Sequence, residues 1–424
     1  MHSFHVNTFI SIVIFIIVLD LYVWQAFRFS SKNLKPIWRK IIKYTHFGFS
    51  LLYIGLAAIV IFNSNLDIFY RNIIFGTFMT LYFTKLFVCI FLLIDDIRRA
   101  MQYIVSLFTK KKKPVLVDLP IIPKDQISHK ISRSKFITTT GMIAGIAPLI
   151  LMTRGVAKNA YNYQVIPVPL KLDKLPSSFR GLKILQISDI HSGSWANKDA
   201  VKAGVDLINS QKADLIFFTG DLVNFKTDEA YPWMDILSQI KAPMGVFSIL
   251  GNHDYGDYYY APDDPKKIQN MLDLYKVHSD MGWHLLRNEH VTLNRGGERI
   301  GIVGVENWGN KGRFPKVGDL HIANKNIPDV PVKLLLSHDP SHWEAKVKHE
   351  MPDADIMFAG HTHGGQFGIE NKLFRYSPVQ HVYKQWAGMY EHGKQKIYVN
   401  RGFGFIGFPG RVGILPEITV FELV

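Results

Sequence analysis

A chain of 424 residues with 48% hydrophobic and 13% aromatic content is too apolar to be disordered and long enough for more than one domain. Its formal net charge of +14 is local: residues 28–43 carry six Lys/Arg and no acid, residues 95–135 carry ten against four, and from Phe136 onward 31 basic residues face 29 acidic ones. That near-neutral C-terminal part lacks the basic footprint that long nucleic acid requires, and a lone cysteine, Cys89, excludes an intramolecular disulfide.

Four apolar segments, about 8–27, 47–62, 73–94 and 136–152, predict membrane helices, because runs such as IVIFIIVL and IGLAAIVIF are apolar all round rather than on one face. The basic stretches flank these segments, so the positive-inside bias puts both on the cytoplasmic side and residues 156–424 outside the cytoplasm. This predicts a multi-pass membrane protein, with a membrane region at 1–155. Asp20 and Lys85 fall inside spans, where snorkelling or pairing is expected. SRSKFI (132–137) resembles a twin-arginine export signal in which Ser134 stands for the second arginine, and an internal signal anchor would achieve the same placement.

From about Tyr163 short β-branched runs alternate with stretches long enough for helices, such as 199–211 and 265–281, which predicts an α/β domain with both sheet faces covered. The runs are KILQISDIH (183–191), DLIFFTGDLV (214–223), GVFSILGNHD (245–254), RIGIVGVEN (299–307), VKLLLSHD (332–339), DIMFAGHTH (355–363) and KIYVNRG (396–402). Several end in a polar cluster, at the place where ligands gather in α/β sheets.

Each cluster alone has a bland explanation: Asp189 as a helix cap, Asn252 in a turn, His338 or His361 as a satisfied core histidine. Five in order, each closing a strand, do not. The set D-x-H (Asp189, His191), G-D (Gly220, Asp221), G-N-H-D (Asn252, His253, Asp254), His338 and G-H-x-H (His361, His363) resembles the calcineurin-like metallophosphoesterases over about 163–424. FRGLKILQISDIH, GHTHGGQ and the closing VNRGFGFIGFPGRVGILPEITVFEL are similar to its membrane-linked bacterial YkuE/YaeI-like branch.

The resemblance implies a sandwich of two mixed β-sheets flanked by helices. It also implies two divalent metal ions, one held by Asp189, His191, Asp221 and His363, the other by Asp221, Asn252, His338 and His361. Carboxylate, amide and imidazole donors without thiolate suit Mn, Fe or Zn. Such a pair would lower the pKa of a water and clamp an in-line displacement at phosphorus. His253 would serve the leaving oxygen, with Asp254 fixing its orientation, and Gly364 and Gly365 would let the backbone approach the metal loop. Arg401 and Arg411 are candidates for binding substrate phosphate. The expected activity is hydrolysis of a phosphomonoester, phosphodiester or pyrophosphate bond at the bilayer, in a substrate that a membrane tether would favour being lipid-linked. The alternative is a non-catalytic receptor or scaffold that binds a phosphorylated ligand.

Overall fold

The computed structural model describes residues 2–63, 66–109, 133–312, 314–371 and 373–424; the lysine run at 110–113 and most of its basic loop lie outside the described residues. The chain divides into two compact units, Met1–Thr153 and Arg154–Val424.

The first unit is built from α1 (His2–Ser30), α2 (Pro36–Phe62), α3 (Ile68–Phe108) and α4 (Arg133–Ala144), and α5 (Ile146–Ala157) crosses the division. Four stretches are long and apolar enough to cross a membrane: Val6–Ser30, Pro36–Phe62, Ile68–Phe108 and Phe136–Ala157. The helices outrun the apolar segments because Lys, Arg and Gln are good helix formers, so hydropathy finds the lipid-facing part of a helix and not its ends. At 41 residues α3 is about 60 Å long, twice a hydrocarbon core. The fourth span is broken at Gly145, where Pro148 in the first turn of α5 offers no amide to continue the ladder. Inside the unit Lys85 Nζ lies 2.5 Å from Asp20 Oδ1, while Ser50 Oγ (2.5 Å) and Tyr82 OH (3.0 Å) donate to Asp20 Oδ2. Pairing, not snorkelling, is how this intramembrane charge is satisfied.

The second unit is a sandwich of two six-stranded mixed sheets. The first has the order β1 (Gln164–Leu170), β14 (Glu417–Leu423), β2 (Lys183–Ile187), β3 (Leu215–Phe218), β4 (Val246–Ser248), β5 (Trp283–Leu285). The second runs β12 (Gly388–His392), β13 (Gln395–Val399), β9 (Ile356–Ala359), β8 (Lys333–Leu336), β7 (Glu298–Gly304), β6 (Glu289–Arg295), and β10 (Ile369–Glu370) pairs with β11 (Arg375–Tyr376) as a separate hairpin. Side chains alternate between two cores as the period-two geometry requires: in β3, Leu215 and Phe217 enter the layer between the sheets with Phe358 and Ile302, whereas Ile216 and Phe218 pack under the outer helices with Val205 and Leu274. Strand β1 escapes the sequence pattern because QVIPVPL carries Pro167 and Pro169. It tolerates them because it is an edge strand, bonded only to β14.

The parallel strands β2, β3 and β4 of one sheet and β8 and β9 of the other deliver their C-terminal loops to one rim of the sandwich. All five clusters follow those strands.

Candidate metal centre

Two groups of potential ligands converge there: Asp189, His191 and His363 in one, Asp221, His338 and His361 in the other, with the ligand atoms in each group within 4.8 Å of one another. Asp221 joins them, since its Oδ2 lies 3.1 Å from His338 Nε2 and 3.5 Å from His191 Nε2. His191 Nε2 stands 3.0 Å from His363 Nε2, and His363 Nε2 is 3.3 Å from Asp189 Oδ1. His361 Nδ1 is 3.3 Å from His338 Nε2.

The loops hold these groups at a conformational cost. Asp189 (φ 53°), His191 (48°), Asp221 (61°), His361 (71°) and His363 (51°) all adopt left-handed backbone, and they are five of the nine non-glycine residues to do so among the described residues. Each costs on the order of 1–2 kcal/mol, and such strain gathers where the fold must aim a side chain. Close approach requires glycine at three positions here: a Cβ on Gly360 would stand 2.3 Å from Asp189 Oδ2, one on Gly251 2.2 Å from Asp221 Oδ1, and one on Gly220 would meet the Gly251 amide nitrogen at 2.5 Å. Gly364 and Gly365 also have positive φ, but they pack against Ile414 and Ser377 behind the ligands.

Hydrogen bonds on the far side orient the rings. His338 Nδ1 donates to the Thr219 carbonyl (2.7 Å), which leaves its Nε2 for the centre, and His361 Nε2 is 2.8 Å from Tyr383 OH. Burial holds the imidazoles of His191, down at about 3, and His363 neutral. Burial likewise lifts the carboxyl of Asp189 to about 7. Burial would also depress His338, but the adjoining Asp221 carboxylate outweighs it and raises the ring to about 10. Protons thus stand where cations would balance the same charges.

The donors fit divalent cations. The sharpest sign is Asn252: its Nδ2 donates to Tyr258 OH (2.9 Å), which turns Oδ1 inward, buried and without a hydrogen-bond partner. An orphaned amide oxygen beside two carboxylates and four imidazoles is the kind of donor that a hard or borderline metal takes.

Three expectations meet a different arrangement. Asp254 does not touch the His253 ring. Its carboxylate accepts from the backbone amides of Asp221 (2.9 Å), Leu222 (2.8 Å), Val223 (3.3 Å) and Gly251 (2.8 Å), tying the loop after β3 to the loop after β4. His253 is instead held by Nδ1, 2.7 Å from the Asn224 carbonyl. Arg401 is ion-paired to Glu417 and to Glu370, the latter at 2.5 Å. Arg411 is fully buried and donates to the carbonyls of Gly402, Gly404 and His363. Two carboxylates hold one guanidinium, and carbonyls with the His363 Nδ1 edge (3.3 Å) hold the other, so neither lines the cavity.

That cavity, about 350 Å³, opens over Asp221, Asn252, His253, His361 and His363. Its other walls are Lys311, Gly312, Phe314, Val382, Tyr383 and Ile406, none of which the motifs announce. Lys311 Nζ lies 5.1 Å from the Tyr383 ring centroid and is the one cationic Lys or Arg lining the cavity among the described residues.

Residues 6–160 match the family described as "Probable Calcineurin-like phosphoesterase, transmembrane domain", and residues 182–365 match "Calcineurin-like phosphoesterase". The chain is 31% identical over 316 residues to the "Uncharacterized metallophosphoesterase YkuE" of Bacillus subtilis, covering 69% of this chain and 98% of that protein. It is 28% identical over 285 residues to the "Transmembrane protein with metallophosphoesterase domain" of Danio rerio, covering 66% of this chain and 61% of that one. Among solved structures, the phosphopantetheinyl hydrolase PptH of Mycobacterium tuberculosis aligns at a TM-score of 0.32 and 15% identity, over 52% of this chain and 89% of that one.

Proposed function

Because this chain belongs to the calcineurin-like metallophosphoesterases, we propose that its C-terminal unit hydrolyses a phosphomonoester, phosphodiester or pyrophosphate bond in an amphiphilic, lipid-linked substrate. The observation that carries the proposal is the convergence of two complete ligand groups on Asp221, with the orphaned Asn252 oxygen beside them. Asp189, His191, Asp221 and His363 would hold one divalent cation, and Asp221, Asn252, His338 and His361 the other. Bound there, the pair would supply Lewis acidity and bring the pKa of a water toward neutrality.

The chain's own residues do the rest. His253 lines the cavity with Nδ1 engaged by the Asn224 carbonyl, so a proton on Nδ1 stays in place and Nε2 is the nitrogen that passes a proton to the leaving oxygen. Lys311 brings positive charge to the phosphate oxygens, in the role the sequence offered to Arg401 and Arg411. Phe314, Val382 and Ile406 give the substrate's non-phosphate part an apolar wall. The basic residues between 28 and 43 support a cytoplasmic α1–α2 turn and a catalytic unit outside the cytoplasm, and the likeness to YkuE of Bacillus subtilis supports residence in a bacterial cytoplasmic membrane.

The test is hydrolysis of a bis-aryl phosphate, an aryl monophosphate and a lipid pyrophosphate by protein loaded with Mn, Fe or Zn. Wild type should turn over at least one. Asp221→Asn should be inactive, His253→Ala should fail chiefly on poor leaving groups, and Lys311→Gln should raise KM. Two bound metals and a bound phosphate ester with no product from any probe would replace this reading with a phosphate-binding receptor.

A further inference from the structure

A second concave site, distinct from the metal centre, lies where α1 gives way to α2. Its volume is about 800 Å³, and among the described residues it is lined by Arg28, Lys32, Arg39, Lys40 and Lys43 beside the ring of Trp24, with no acidic side chain. None of the five cations forms an ion pair with another described residue, and all five are exposed.

Local physics disfavours this arrangement when nothing is bound. Arg39 and Lys43 are four apart and Lys40 and Lys43 three apart, so like charges share one helix face. Arg39 sits in the first turn of α2, where the helix dipole already places positive charge and no acid offsets it, and Lys40 and Lys43 follow in the next turn. Arg28 adds another cation from the last turn of α1. A topological signal requires basic residues near a span, but not their convergence on one cavity. An anion would relieve every one of these repulsions.

We infer that this site binds the phosphate headgroup of an anionic membrane phospholipid. The flanking spans, Val6–Ser30 and Pro36–Phe62, end and begin at the cavity, which puts it at the level where headgroups lie. Its surroundings expose Leu34, Ile37 and Trp38, apolar and interfacial side chains suited to acyl chains and of no use to a soluble anion.

The experiment is native mass spectrometry of the full-length protein in detergent, where the charges have no topological task. The probes are phosphatidylglycerol, phosphatidylcholine and inorganic phosphate. Phosphatidylglycerol should be retained and phosphatidylcholine lost. Lys40→Gln with Lys43→Gln should lower phosphatidylglycerol affinity on the order of thirtyfold, from roughly 1 kcal/mol for each cation near the headgroup. Lys40→Arg with Lys43→Arg should retain it, which separates charge from a folding defect. Equal retention of both lipids, or equal affinity in the Gln variant, would overturn the inference. Competition by inorganic phosphate at matched concentration would do so too, by making the site one for soluble anions.

Discussion

Acid should destabilise the catalytic unit through a histidine that takes no part in the metal centre. His278, on the helix Pro265–Asp280, is fully buried, with its ring centroid 6.1 Å from that of Phe218 and 5.9 Å from that of Trp283. Its Nδ1 is 3.0 Å from Ser248 Oγ, and its Nε2 has no partner. Burial therefore holds the imidazole at about 3, against 6.5 when free. The unfolded chain binds the extra proton between those values, so the stabilisation is present above the free value and is lost as pH falls toward the folded one. At pH 5 the loss is RT ln(1 + 10^1.5), about 2 kcal/mol. Urea unfolding followed by tryptophan fluorescence, at pH 7 and pH 5, on wild type and His278→Gln, isolates this residue, because other titrating groups cancel in the comparison. The wild type should lose about 2 kcal/mol more than the variant. Equal losses would mean that water reaches the ring or that the imidazole is not neutral in the folded state, and the reasoning would fail.

Asp254→Asn places an amide NH2 against backbone donors, so stability should drop by about 1–3 kcal/mol in denaturant titration and metal affinity by roughly 10–100-fold in calorimetry, by loosening the loop that carries Asp221. Arg401→Met strands the buried Glu417 and should cost about 3–5 kcal/mol, while KM of the folded fraction stays unchanged; a raised KM with intact stability would restore Arg401 to the substrate. In the membrane unit, Lys85→Met leaves Asp20 without its cation and should destabilise the bundle by about 3–5 kcal/mol in a detergent unfolding assay. Adding Asp20→Asn should recover much of that loss.

The candidate ligands were legible because each closes an apolar strand, a pattern that survives in one dimension: β2, β3, β4, β8 and β9 all stand inside the runs that announce them. What could not be read was direction. Asp254 adjoins His253 in sequence, yet a short helical turn points the two side chains apart, one into backbone amides and the other into the cavity. Arg401 and Arg411 carry the right charge for phosphate, but their partners, Glu370, Glu417 and the carbonyls of Gly402 and Gly404, come together only in the folded unit. Lys311 and Tyr383 reach the site from loops with no periodic signal. Asn224, three residues beyond Asp221, was the nearest clue missed. In the membrane unit, hydropathy located the lipid-facing core of each span but could not show that Asp20 and Lys85, 65 positions apart, meet.

The placement of β14 bears on how the protein is made. That strand, residues 417–423, lies between β1 and β2, so the first sheet has a gap until a segment more than 240 positions after β1 fills it. Spans one to three can partition into lipid as they leave the ribosome, but β1 has no neighbour to bond until residue 417 emerges. Until then β2 also lacks its β14 neighbour on that side, so the first sheet cannot close as one piece while the chain is still emerging. Completion of the first sheet thus depends on a contact between segments far apart in the chain, and not on the insertion of the helices.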